Sequence, residues 1–288
     1  MNQVTTIIIR FSCFLLIVCS TTALSQVDIA GHWRKPNHEE HGSEAEIGDY
    51  TGLPLNDAAR IRADTWNPER LFVPEHQCEP HPSPYAPVGP SNMRIWPEVD
   101  PFTQEIIAWH MVLHWMEMHR IIWMDGRDHP PVWAPHTWMG FSTGEWNGDS
   151  LTVTTTHIKP AWTRRNGAPQ SDQAVMREHW MRHGDVLTLV SVLEDPLYLE
   201  EPLIRSLSWE TAPGYQVGSY PCHATVEVEH PDGYVPFNLP GQNSMLKDNV
   251  VSQQGFPFDA IRGGAKTLLP EYSRELEAMR IDGNWRER

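Results

Sequence analysis

The sequence predicts an all-β fold, an antiparallel barrel of about eight strands, and three observations predict it. Apolar and polar residues alternate with period two through most of residues 104–210, broken by turns containing Gly and Asp. The stretch from Gly144 to Lys159 supplies a hairpin. In it Asn147-Gly148 offers positive φ angles, and the next strand sets Leu151, Val153, Thr155 and His157 on one face against Thr152, Thr154 and Thr156. Tryptophans recur in or near the strands, from Trp109 to Trp209, and supply core volume. A two-sheet sandwich is the alternative arrangement of the same strands.

Each element follows in order. Ile29–Trp33 is a short first strand, and residues 38–52 are a polar loop. Leu55–Thr65 reads as a helix capped by Asn56 or Asp57, with Ala58, Ala59, Ile61 and Ala63 suited to its interior. Prolines recur from Pro68 to Pro101, so that stretch is read as a connection without strands. Gln104–His114 and His119–Met124 form a strand pair, turned onward by Asp125-Gly126. Asp128–Pro135 is a second proline-rich crossing. Met139–Trp146 and Ser150–His157 make the central hairpin. Ala174–Arg182 and Val186–Glu194 make a third, and Leu203–Glu210 is the last strand. Closure into a barrel removes exposed edges. Residues 211–288 carry few strand signals and are expected to cover the barrel, ending in a helix over Glu271–Arg280. This tail lacks a core of its own, so residues 26–288 count as one domain.

Residues 1–25 read as a signal peptide. Arg10 precedes the apolar run Phe11–Val18, and Ala23-Leu24-Ser25 fits a small-x-small cleavage site before Gln26. The run is short for a membrane anchor. Lipidation at Cys19 is disfavoured because Val18 stands where a small residue is wanted. Export to a bacterial periplasm or beyond follows. Without Arg10, 21 Lys and Arg face 37 Asp and Glu, a net charge of −16. Such a chain suits neither nucleic acid nor an anionic membrane surface. The partner expected is a small molecule; the oligomeric state stays open. Cys78 and Cys222 remain in the mature chain, and an oxidising compartment favours a disulfide between them.

The segments Asp125-Gly126-Arg127-Asp128-His129-Pro130 and Trp138-Met139-Gly140-Phe141-Ser142-Thr143-Gly144-Glu145-Trp146-Asn147-Gly148-Asp149 carry a resemblance. They resemble a large, mostly uncharacterised group of exported bacterial proteins. The similarity continues through His157-Ile158-Lys159, Arg164-Arg165-Asn166-Gly167, Asp195-Pro196 and the residues 235–241. The resemblance implies a lipocalin-like barrel, with which the opening Gly31-His32-Trp33 agrees, and implies no activity.

Three candidate chemistries follow from the residues. The first is a polar cluster: His157, Glu178 and His179 as acid–base groups, with Lys159, Arg164, Arg165, Asn166, Asp172 and Arg205 as ligand-holding groups. Glu178 and His179 are adjacent on a strand, so one of them must face the interior. A cavity holding His157, Glu178 and Arg205 would suit lyase, isomerase or hydrolase chemistry on an anionic substrate. A buried structural network is the competing account of the same residues. The second is a zinc or copper site using His110, His114 and His119, the first two at a spacing that shares a strand face. The third, Gly140-Phe141-Ser142-Thr143-Gly144, fits a nucleophile elbow by letters, but it lies on a hairpin arm and not at a strand-to-helix turn. The tryptophans in or near the strands, among them Trp138, Trp146, Trp162 and Trp180, offer an aromatic wall for a ring-bearing or sugar-like ligand. A non-catalytic carrier of a hydrophobic ligand in the barrel is the alternative, and a structural envelope protein with a filled barrel is a third possibility.

Overall fold

A computed structural model describes residues 27–36, 46–89, 92–246 and 255–280. The expected signal segment, with Cys13 and Cys19, lies outside the described residues. Nine strands close a barrel in the order β1-β11-β10-β9-β6-β5-β4-β3-β2. They are β1 (Gly31–Arg34), β2 (Met93–Val99), β3 (Ile106–Leu113), β4 (Met118–Trp123), β5 (Phe141–Asn147), β6 (Ser150–Thr156), β9 (Val175–His183), β10 (Val186–Glu194) and β11 (Leu203–Thr211). A separate ribbon, β7 (Ala161–Arg164) with β8 (Ala168–Gln170), lies between β6 and β9 in the chain.

The expected count of eight strands misses β2, which sits inside the proline-rich stretch read as a connection. Pro97 is tolerated there because β1 pairs only with Met93–Ile95, so beyond Ile95 the strand has β3 alone as neighbour. The central hairpin also turns one residue later than expected. Asn147 pairs with Ser150, and Gly148 takes the first central position at φ 61°.

All barrel pairings are antiparallel except β4–β5, which is parallel and short, at Ile122–Ser142 and Trp123–Thr143. A parallel pair needs a crossover, and residues 124–140 supply it along the outside of the barrel. Gly140 ends this crossover at φ 70°, where a Cβ would lie 2.6 Å from the Thr156 carbonyl oxygen.

The barrel axis is filled by the chain's own side chains. Trp33, Trp180, Trp209, Met93, Leu151 and Leu187 are buried along it, and the Trp180 and Trp209 rings stack at 5.7 Å. The proline-rich stretch then plugs one mouth. Ala86 joins the barrel core. Lys35, fully buried, donates from Nζ to the Pro87 and Val88 carbonyls at 2.6 and 2.9 Å, and to Gly89 at 3.2 Å. A buried ammonium with three carbonyl acceptors has all its donors engaged, which offsets its desolvation.

A second core covers this mouth. Helix α1 (Asp57–Asp64) is capped by Asn56, whose side chain accepts from the Ala59 N–H. Its Ala59 and Ala63 pack with Tyr50, Leu53, Ile158, Ala168 and Met176. Cys78 and Cys222 are bonded, with Cα atoms 5.8 Å apart, tying the plug segment to the chain after β11. A one-turn helix α2 (Pro74–Gln77) precedes Cys78, and α3 (Pro270–Ala278) ends the described chain. Among the described residues no helix is long and apolar enough to cross a membrane.

Candidate functional site

Strand parity decides between Glu178 and His179. Glu178 faces the barrel interior and is 0% exposed; His179 faces outward and meets Thr152 Oγ1 at 3.3 Å. Glu178 is held by a residue the sequence reading passed over, Arg120 on β4. Arg120 Nη1 donates to Glu178 Oε1 at 2.9 Å and Nη2 to Oε2. Its Nε donates to Ser142 Oγ at 3.0 Å and Nη2 also to Thr155 Oγ1 at 2.5 Å. Ser142 and Thr155 hydroxyls meet at 2.9 Å. Each guanidinium nitrogen therefore has a partner, and the void beside Arg120 and Trp180 measures only about 10 Å³. Such a pair is a buried structural network. The signal for Arg120 was present: it shares a strand face with Met118 and Ile122.

His157 does not join Glu178, contrary to the expected single cavity. Its φ of 56° ends β6 and breaks the alternation that would have aimed it inward. The ring instead pins the crossover to the barrel wall. His157 Nε2 meets the Pro131 carbonyl at 3.0 Å, so it must carry a hydrogen and donate. For a neutral ring, Nδ1 then accepts from the Thr156 hydroxyl at 2.8 Å. His129 Nδ1–H consequently donates to Thr156 Oγ1 at 2.7 Å, and its Nε2 accepts from Thr143 Oγ1 at 2.9 Å. Burial and then the nearby His157 lower the His129 pKa, which favours this neutral chain. His136 packs against His157 at 5.1 Å between ring centroids.

Arg205 and Glu178 flank Ser191 in the register, but the Arg205 guanidinium is bonded at the plugged mouth and not to Glu178. It donates to the Pro84 carbonyl at 3.1 Å and the Thr163 carbonyl at 2.7 Å. Burial, then Arg164, lowers it to about 10, so it keeps its charge at neutral pH. Arg164 donates to the Thr51 carbonyl at 3.1 Å, and burial lowers its pKa also. Arg165 acts on His81, which burial and then that arginine hold down at about 4. Asn166 is buried and ties Glu46 and Asp49 carbonyls to the ribbon, at 3.3 and 2.6 Å. Lys159 lies over the Trp138 ring at 5.1 Å. Trp180 is core, and Trp146 packs at the core's margin.

The expected trio of histidine ligands is not assembled. His110 Nδ1 and His119 Nε2 meet at 2.8 Å on the outer face of the barrel. His114 is apart, because β3 ends at Leu113 and His114 takes a helical turn (φ −61°, ψ −41°) toward Tyr220. Among the described residues no group of three or more His, Cys, Asp and Glu is placed to hold a metal ion.

A concave site lined by aromatic and charged residues lies outside the barrel, between the β7–β8 ribbon, the end of α1 and residues 236–237. This cleft has a volume of about 270 Å³. Trp66, Trp138, Trp162 and Phe237 line it, with Arg62, Arg70, Gln170 and Asp172. Trp66 and Trp162 meet edge to face at 5.5 Å. Gly167, at φ 94°, lets the ribbon close onto Trp66: a Cβ there would lie 2.4 Å from Trp66 Cβ. Four buried polar atoms among the lining residues have no protein partner: Trp66 Nε1, Trp162 Nε1, Arg70 Nε and Gln170 Oε1. Of the residues expected to bind a ligand, Asp172 lines this cleft, as do Trp138 and Trp162 from the expected aromatic wall. The others were missed because Trp66 and Phe237 approach only through the fold, by a β-bridge.

No protein-family model matches the sequence, and neither a curated protein nor a solved structure matches it.

Proposed function

We propose that this chain is an exported, lipocalin-like binding protein for a small ring-bearing anion, held in the ribbon cleft and not in the barrel. An acidic sugar is the ligand class that fits best. The observation carrying this reading is a cleft of about 270 Å³ lined by three indole rings, with Arg62, Arg70, Gln170 and Asp172 among its lining residues. Tryptophan faces stack on the apolar face of a sugar ring, while indole N–H, amide and guanidinium groups take its hydroxyls and carboxylate. The filled barrel axis supports the same choice. Binding is favoured over glycoside hydrolysis because that chemistry takes two carboxyl groups, and Asp172 is the one carboxylate among the lining residues.

The test is calorimetric titration of the disulfide-intact chain with glucuronate and galacturonate oligomers, against neutral glucose oligomers. Saturable binding of an acidic oligomer is expected, weakened at least tenfold in Trp138→Ala and in Arg70→Ala. Folded protein that binds none of these ligands, or binding untouched by both substitutions, sinks the reading.

A further inference from the structure

The outer face of β2, β3 and β4 carries a second polar constellation unrelated to the cleft. Glu98 Oε2 meets His110 Nε2 at 2.8 Å. A carboxylate at Nε2 draws the hydrogen to that nitrogen, which leaves Nδ1 with its lone pair. This Nδ1 is the atom that faces His119 Nε2 at 2.8 Å. Strand register sets the pair, since His110 lies opposite Ile121 and His119 opposite Val112, diagonal neighbours on one face. The Trp96 ring lies beside both imidazoles, at 5.2 Å and 5.7 Å. Arg94 lies over the same indole at 5.0 Å. The pair is thus oriented by a carboxylate, by register and by an aromatic wall, and its outer side is open to solvent.

We propose that His110 and His119 form a two-imidazole copper(II) site, with Glu98 as the carboxylate that orients His110 and water completing the coordination. Metal-bound imidazoles commonly give their other N–H to a carboxylate, which fixes the tautomer and strengthens the ligand. The 2.8 Å between the facing nitrogens is a hydrogen-bond length, and this is the bond the ion replaces. The ring nitrogens now point at each other, as 5.1 Å between centroids and 2.8 Å between nitrogens require. At this distance His119 Nε2–H donates to His110 Nδ1, so binding tilts the exposed His119 ring and moves its hydrogen from Nε2 to Nδ1, after which both lone pairs converge on the ion. Copper is the divalent ion that imidazole sites hold most strongly.

The experiment is titration of the disulfide-intact, untagged chain with copper(II) chloride, followed by electron paramagnetic resonance and by tryptophan fluorescence. One tight ion per chain is expected, with a tetragonal signal coupled to two imidazole nitrogens and quenching of Trp96 emission. His110→Ala and His119→Ala are each expected to abolish it, and Glu98→Gln to weaken it ten- to a hundredfold. His114→Ala is expected to leave it unchanged. Both ligands sit on the outer wall, so these variants should fold; His119→Asn serves if the alanine variant does not. A tight ion that persists in both ligand variants, or a wild-type chain that takes up no copper at micromolar concentration, overturns the site. Neither result bears on the cleft, which shares no residue with it.

Discussion

The barrel interior and the ribbon cleft are both rich in tryptophan and arginine, and both leave indole N–H groups unpartnered, yet they differ in how their charged groups are paired. Inside the barrel, every nitrogen of the Arg120 guanidinium is used, and Lys35 meets three carbonyls. In the cleft, Arg70 Nε, Gln170 Oε1 and two indole N–H groups are buried without a protein partner. A buried charge survives only when paired, so the full pairing of Arg120, Glu178 and Lys35 identifies these charged groups as part of the fold, although the Trp109 and Trp180 indole N–H groups in the same core have no protein partner. The cleft, unlike the barrel axis, leaves open volume between its indole rings, and that volume is where a ligand can be held. Residue type alone would have ranked the two regions the other way, since Glu178 looked catalytic and Arg205 looked ligand-holding.

This contrast can be broken at several points. The sharpest is Glu178→Gln, which leaves Arg120 uncompensated at the barrel centre. It should cost about 3–5 kcal/mol of stability in urea unfolding. The double variant Arg120→Met/Glu178→Leu should recover most of that loss. If it does not, the pair has a role beyond pairing.

His81 should make stability depend on pH. Its folded pKa, about 4, lies below the unfolded value near 6.5. Neutral histidine is therefore favoured by folding, so this contribution is fully present above pH 6.5 and falls away as pH drops toward 4. The shift corresponds to roughly 3 kcal/mol at most. Unfolding midpoints followed from pH 7 to 4 should show the slope, and His81→Phe should flatten it. An unchanged slope in that variant would place the acid sensitivity elsewhere.

A smaller effect is expected on the crossover. His129→Ala removes the two hydroxyl contacts through which this ring fastens residues 124–140 to β5 and β6, and should cost about 1–2 kcal/mol. Hydrogen exchange should rise in the crossover and stay slow in β9 and β10. Uniform acceleration would mean that the chain of hydroxyls and imidazoles supports the whole barrel.

Much of the architecture was written in alternation. Leu151, Val153 and Thr155 do face inward, and β3, β4, β9 and β10 fall within a residue or two of the expected limits. Parity also forced a choice between Glu178 and His179, and would have named Arg120 had β4 been read the same way. The Cys78–Cys222 pairing followed from there being two cysteines left in the chain expected after cleavage. By itself, then, the sequence determined an all-β fold best read as a barrel, one inward residue of the pair Glu178 and His179 on β9, and a favoured disulfide, because period-two patterning and pairing are local or nearly unambiguous. Tertiary structure alone decided the rest. A single left-handed residue sent His157 outward, and the end of β3 separated His114 from His110. A strand with one neighbour could hold Pro97, so β2 closed the barrel inside a proline-rich stretch. The cleft depends on Trp66, Gly167 and Phe237 meeting across the fold, and such contacts leave no periodic trace in the chain.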